Sequence, residues 1–207
     1  MIRGWLHEPV PADRAAPPAS ADGLAITHGA GSNCEAPLLV ALAEAFAQAG
    51  LWVLRFDLPY RQQRPHGPPS PAHAARDREG IRRAMEALRQ VAGARVFVGG
   101  SSYGGRQATM LFAENPKLAD GMLLLSYPLH PPGKPQQLRT EHFPKIESPA
   151  MFVHGTRDSF GSIEEMGAAI ASIPARHELV TVEGAPHGLP PKVAAWLPAR
   201  FVDFVGR

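Results

Sequence analysis

A single cysteine, Cys34, in 207 residues leaves no partner for an internal disulfide, which fits a reducing compartment. No run of about 18 apolar residues occurs, so no membrane span is expected. The opening segment "MIRGWLHEPVPADR" holds Arg3, His7, Glu8 and Asp13 where a signal peptide would hold a long apolar stretch. An excess of one charge is also missing. The chain has 21 basic and 19 acidic residues spread along its length, net +2, without the basic stripe of a nucleic-acid binder. Internal repeats and low-complexity tracts are absent. These absences together predict a cytoplasmic protein with neither a nucleic acid nor a membrane as partner. They leave the oligomeric state open.

What is present is enough apolar residue, 44%, to pack a full core, and a length that suits one domain spanning residues 1–207. The 22 prolines punctuate loops. Between the loops, short apolar runs alternate with segments of helical spacing. Strands are expected at 3–7, 24–27, 51–56, 96–98, 122–126, 150–154 and 178–182. Helices are expected at 35–49, 72–91, 102–113, 163–173 and 192–205. Turns are expected over 9–23, and proline-rich loops after the strands that end near 56 and 126. This alternation argues a parallel sheet covered on both faces, with ligands bound along the edge where the strands end.

One of those strand ends reads "RVFVGGSSYGGRQATMLF". Its core, Gly100-Ser101-Ser102-Tyr103-Gly104, fits G-x-S-x-G with Ser102 at the centre. In such an elbow the serine stands on a tight turn between strand and helix, and residues two positions to either side must be small. A serine so placed is a weak nucleophile until a base takes its proton and an acid orients the base. Two later strand exits supply candidates: "GTRDSFG" offers Asp158 and "EGAPHGL" offers His187. Glu183 and Asp57 are alternatives for the acid, and His154 for the base. The oxyanion hole needs two backbone N–H groups. Tyr103, after the serine, gives one; the loop "HGAGSN" gives the other, with Ala30 preferred and Gly31 second. His28 is expected to brace that loop. His28, Tyr60 and His130 are candidates for lining the pocket. Arg55, Arg61, Arg64 and Arg139 could together favour an anionic substrate, although a solvated basic surface is the simpler reading. Cys34 reads as a small buried residue. No histidine–carboxylate spacing resembles a zinc site, and no cofactor motif is present.

The motifs "HGAGS", "LRFDLPYRQQR", "FVGGSSYGGRQA", "LLLSYPLHPPGKPQQLRTEHF", "PAMFVHGTRDSFG" and "GAPHGL" resemble the α/β-hydrolase superfamily from about residue 24 to the C-terminus. "SYPLHPPG" followed by "LR" is similar to a small lidless branch. That branch holds bacterial hydrolase-like proteins, a testis-expressed mammalian protein and a domain of a non-specific-lethal complex subunit. The resemblance implies an α/β-hydrolase fold: a mostly parallel sheet of six or seven strands, helices on both faces, a shortened N-terminal hairpin and no lid. It implies Ser102, Asp158 and His187 as a triad, an acyl-enzyme intermediate and a small acyl substrate such as a carboxylic ester. Some relatives in that branch are regarded as interaction proteins, so a non-catalytic module is the competing expectation. Acyl transfer or perhydrolysis would use the same three residues.

Overall fold

The computed structural model describes residues 2–10 and 21–206, and most of the turn-rich segment expected at 9–23 lies outside them. Seven strands form one sheet in the order β1-β3-β2-β4-β5-β6-β7. They are β1 (Gly4–His7), β2 (Gly23–Thr27), β3 (Trp52–Phe56), β4 (Val96–Ser101), β5 (Met122–Leu125), β6 (Ala150–Gly155) and β7 (His177–Val182). β1 pairs antiparallel with β3 and, among the described residues, represents the shortened hairpin. All other pairings are parallel. Every residue of β2, β5 and β6 is buried, as expected for strands covered on both faces.

The helices are α1 (Pro37–Gln48), α2 (Pro59–Gln63), α3 (Ala74–Arg89), α4 (Tyr103–Glu114), α5 (Ile163–Ile170) and α6 (Leu197–Gly206). On one face, Leu39, Leu42 and Phe46 of α1 pack with Phe97 of β4 and Phe201 of α6. Phe201 meets both Phe46 and Phe97 edge to face. On the other face, Ile81, Met85 and Leu88 of α3 join Leu111 and Phe112 of α4, and Met166 and Ile170 of α5. Each apolar set recurs at helical spacing, so the spacing decides which face of the helix is buried.

Three local differences from the sequence expectation have plain causes. The helix expected at 192–205 is split: Pro191–Ala195 is a 3-10 turn, and the chain breaks at Trp196 (φ −129°) before α6. The helix expected at 72–91 begins with a 3-10 turn, Pro71–His73. The proline loop after β3 hides α2, which Pro59 can start because the first helical position needs no N–H. Between β5 and β6 the chain holds one 3-10 turn, Phe143–Lys145, and no lid helices.

The strand order sets the site. From β2 the chain crosses outward to β3, and from β4 it proceeds in the other direction. The switch point therefore lies above β2 and β4, where loops diverge and leave a crevice.

Candidate active site

Ser102 sits at that switch point, between β4 and α4, with φ 49° and ψ −112°. A positive φ is costly for a residue with a side chain, on the order of 1–3 kcal/mol, so surrounding contacts must enforce it. The glycines show how. A Cβ on Gly100 would stand 2.4 Å from the Gly105 nitrogen, and one on Gly104 would stand 2.6 Å from the His28 carbonyl oxygen. Only glycines let strand, helix and neighbouring loop approach so closely. The Ser102 amide donates to the Leu125 carbonyl at 2.8 Å and extends the β4–β5 ladder into the turn.

Asp158 follows β6 and His187 follows β7. The two loops are stitched together: Thr156 and Arg157 donate their amides to the Val182 and Ala185 carbonyls, and the Gly184 amide donates to the Thr156 hydroxyl. The result is a chain of short contacts. His187 Nδ1 lies 2.8 Å from Asp158 Oδ2 and 3.0 Å from Oδ1, and His187 Nε2 lies 2.8 Å from Ser102 Oγ. A carboxylate can only accept, so Nδ1 carries the hydrogen and the bare Nε2 faces the serine hydroxyl. The Phe160 amide donates to Asp158 Oδ1 at 2.8 Å, and the Phe160 ring stacks on His187 with centroids 4.0 Å apart. The Asp158 side chain is fully buried.

The chain matches the family model described as "Alpha/beta hydrolase domain" over residues 21–196. It belongs to the α/β-hydrolase family. Three solved structures share the fold. The Thermus thermophilus protein TT1662 is 22% identical over 100% of this chain and 99% of its own, with a TM-score of 0.75. An alpha-beta serine hydrolase homologue from Coxiella burnetii is 17% identical over 98% and 90%, with a TM-score of 0.72. Est1E from Butyrivibrio proteoclasticus is 16% identical over 100% and 95%, with a TM-score of 0.76.

In this α/β-hydrolase the loop after β2 faces the elbow: a Cβ on Gly29 would lie 3.3 Å from Ser102 Cβ. Its carbonyls are held from behind. The Tyr60 hydroxyl lies 3.1 Å from the Gly29 oxygen and 2.9 Å from the Ala30 oxygen, and Arg61 Nη2 donates to the Ala30 oxygen at 2.9 Å. In a trans peptide, C=O and the next N–H point in opposite directions. Pinning the Gly29 and Ala30 carbonyls therefore turns the Ala30 and Gly31 amides away from Tyr60 and Arg61. His28 donates from Nδ1 to the Gly29 oxygen and accepts the Leu58 amide at Nε2, so it is a neutral brace. Burial pushes its pKa down accordingly.

A cleft of about 1020 Å³ contains Ser102, His187, Phe160, Ala30 and Tyr103. His28 contributes to its floor, while Tyr60 and His130 do not line it. Tyr60 is buried beneath the loop, where burial first of all pushes its phenol up to about 12. His130 is held between the Pro131 carbonyl and Glu165 at the start of α5, away from the cleft. The alternatives for the triad stand elsewhere: Glu183 is exposed just past β7. His154 donates Nε2 to the Gly161 carbonyl at 2.8 Å and stands 3.6 Å from Asp158 Oδ2. Asp57 takes the Cys34 amide and Arg3 Nε, and so ties the chain's first strand to the site loop. Cys34 is buried, and that burial, reinforced by Asp57, pushes its thiol up to about 11.

The four arginines expected near the rim divide. Arg61 donates to the carbonyls of Ser32, Ala30, Arg64 and Gly67, Arg55 to His7 and the Cys34 carbonyl, and Arg64 to the Pro68 carbonyl. Arg139 alone of the four lines the cleft, joined there by Arg106 of α4. Two side chains escaped the sequence reading. Arg106 stands inside the elbow motif, four residues past Ser102. Asp77 accepts the Tyr103 hydroxyl at 2.8 Å and the Tyr60 amide at 3.0 Å, and so ties α3 to both. A signal for Asp77 was available: it lies four residues before Ile81 on the apolar face of α3, where an acid has no business unless it is partnered.

Proposed function

We propose that the protein is a serine hydrolase that cleaves a small carboxylic ester through an acyl-enzyme, with Ser102 as nucleophile, His187 as base and Asp158 as the group that orients it. The observation that carries this reading is the single imidazole bridging the other two residues at 2.8 Å on each side. Ser102 Oγ attacks the ester carbonyl while Nε2 takes its proton. The carbonyl oxygen becomes an oxyanion, received by the Ala30 and Tyr103 amides, with the N-terminus of α4 adding favourable partial charge. The tetrahedral adduct collapses, the C–O bond to the alcohol breaks, and the imidazolium returns its proton to the departing oxygen. Water then attacks the acyl-serine, again giving its proton to Nε2, and the acid leaves with Ser102 restored.

The short contacts favour chemistry over a purely interacting module, for which the three groups would have no reason to converge. The lack of a lid between β5 and β6 favours the small lidless branch. We also assign the protein to the cytoplasm, on its single buried thiol. Among the described residues no helix is long and apolar enough to cross a membrane. A fluorophosphonate probe tests the central claim. Stoichiometric labelling of Ser102, with turnover of short-chain esters, is the expected outcome. Absence of labelling at Ser102 in folded protein refutes it.

A further inference from the structure

The cleft crosses the carboxyl edge of the sheet and has two unlike sides. On the α1 side it is apolar, walled by Pro37, Leu38, Leu189 and Pro191. On the α4 side it presents Arg106 and Arg139. Arg106 follows Ser102 by four residues, with its amide bonded to the Ser102 carbonyl at 2.9 Å. It therefore lies one helical turn from the nucleophile on the same face. Arg139 comes from the β5–β6 connection, and its backbone is fixed on both sides. Its amide donates to the Leu129 carbonyl, and its carbonyl accepts the hydroxyl of the fully buried Tyr127 at 2.6 Å.

Among the described residues neither guanidinium has a carboxylate within 4.0 Å, whereas Arg3, Arg78, Arg82, Arg83, Arg95 and Arg200 each do. Arg55 and Arg61 also lack one, but backbone carbonyls take up their donors at 2.7–2.9 Å. Arg106 Nε is buried without any hydrogen-bond partner. Arg139 reaches one carbonyl, that of Pro128, at a long 3.4 Å. Burial, and then the Arg106 charge, pull the Arg139 pKa down. His142 lines, with Arg106 and Arg139, a second cavity of about 250 Å³; burial and the Arg106 charge hold its pKa near 4, so it stays neutral and adds no third positive charge. Glu141 and Lys145 line that second cavity as well, one charge of each sign. Two half-buried cations with no carboxylate in contact cost stability. A ligand anion would repay that cost.

We propose that the substrate is an ester carrying a free carboxylate a few bonds from its scissile carbonyl, such as a half-ester of a dicarboxylic acid, and that Arg106 and Arg139 receive the carboxylate. This rests on the serine-hydrolase reading for its reaction but not for its binding. The planar fork of a guanidinium matches a carboxylate with paired N–H···O bonds, and two forks leave little room for a neutral alkyl end. The apolar side takes the remaining part of the substrate.

The test pairs monoethyl glutarate with ethyl pentanoate, which differ in a terminal carboxylate against a methyl group, followed by proton release. The expected result is a kcat/KM for the half-ester about 10- to 100-fold above that for the neutral ester. Arg106→Gln and Arg139→Gln should each pull that ratio towards one. Glutarate binding to Ser102→Ala protein, read by calorimetry, supplies a readout without chemistry, and should weaken in Ser102→Ala combined with either arginine change. Equal turnover of both esters, with no glutarate binding, overturns the proposal and leaves the hydrolase reading intact. Glutarate binding lost on Arg106→Gln, in protein that neither turns over esters nor labels at Ser102, keeps the anion site and overturns the hydrolase reading. Inorganic phosphate binding more tightly than glutarate overturns the carboxylate assignment in favour of a phosphate-bearing substrate.

Discussion

Two serines end neighbouring strands of the sheet, and they share one unusual backbone angle. Ser102 after β4 and Ser126 after β5 both have φ 49°. Both donate their amides at 2.8 Å to the end of the next strand, to Leu125 and Val153 respectively. Their side chains differ completely. Ser102 Oγ opens into the cleft 2.8 Å from His187, whereas Ser126 Oγ is buried without a hydrogen-bond partner. Strain alone therefore does not make a nucleophile. After β4 the strained turn lifts a hydroxyl to a base at the head of a helix. After β5 it turns the chain so that Tyr127 drops into the core between Phe143 and Phe152, where its hydroxyl holds the Arg139 backbone. One kink presents the hydroxyl proposed to react; the other anchors the arginine proposed to bind substrate.

The sharpest way to break this comparison is to remove each hydroxyl. Ser102→Ala should lower kcat by about 10⁴-fold or more and abolish fluorophosphonate labelling. Ser126→Ala should keep labelling and short-ester turnover within about threefold, measured on the same panel. Loss of labelling in Ser126→Ala would put the wrong serine at the centre of the reaction. Next comes the elbow itself. Gly104→Ala drives a methyl against the His28 carbonyl and Thr27 Cγ2, and should cost about 3 kcal/mol by urea denaturation. A midsize effect belongs to the brace behind the loop that faces Ser102. Tyr60→Phe takes one donor from each of the Gly29 and Ala30 carbonyls, leaving His28 on the first and Arg61 on the second, and should lower kcat about 10-fold with little change in KM.

On the β5 side the expected signature is a pH-dependent stability. His142 stays neutral in the folded protein down to about 4, while the unfolded chain takes up its proton near about 6.5. Between those values the unfolded chain binds more protons, so stability should fall as pH drops through that window. Urea midpoints at pH 7 and pH 5 should show that fall, and His142→Asn should shrink the difference. The smallest effect is expected for Ser126→Gly. Relief of the positive φ and the greater freedom of the unfolded chain oppose each other, leaving a change within about 1 kcal/mol.

The contrast between the two serines also marks what the sequence makes legible. Ser102 announces itself because a tight elbow demands glycines at fixed offsets. Asp158 and His187 stand out because each follows an apolar run that can only be a strand. The sheet, its direction and the edge that carries the site follow from the same alternation. Ser126 gives no such sign, since neither Leu125 nor Tyr127 reveals a positive φ. Arg106 lies in plain view within the elbow motif, yet its meaning depends on carboxylates that distant segments fail to bring near it. His130 was expected at the pocket because its loop follows a strand; Glu165, 35 residues later, draws it elsewhere. The closing helix is shortened where Pro198, which has no N–H to bond back to Ala194 and is tolerated only in a first turn, leaves α6 to begin at Leu197. Local constraint is written in short motifs, and missing partners are not.

The short connection between β5 and β6 bears on which product forms. Among the described residues no lid helix folds over Ser102, so in the proposed mechanism an acylated serine would meet bulk solvent as soon as the alcohol departed. A competing acceptor would then have to out-compete the surrounding liquid without a closed chamber to protect it, and cleavage is accordingly expected in preference to acyl exchange.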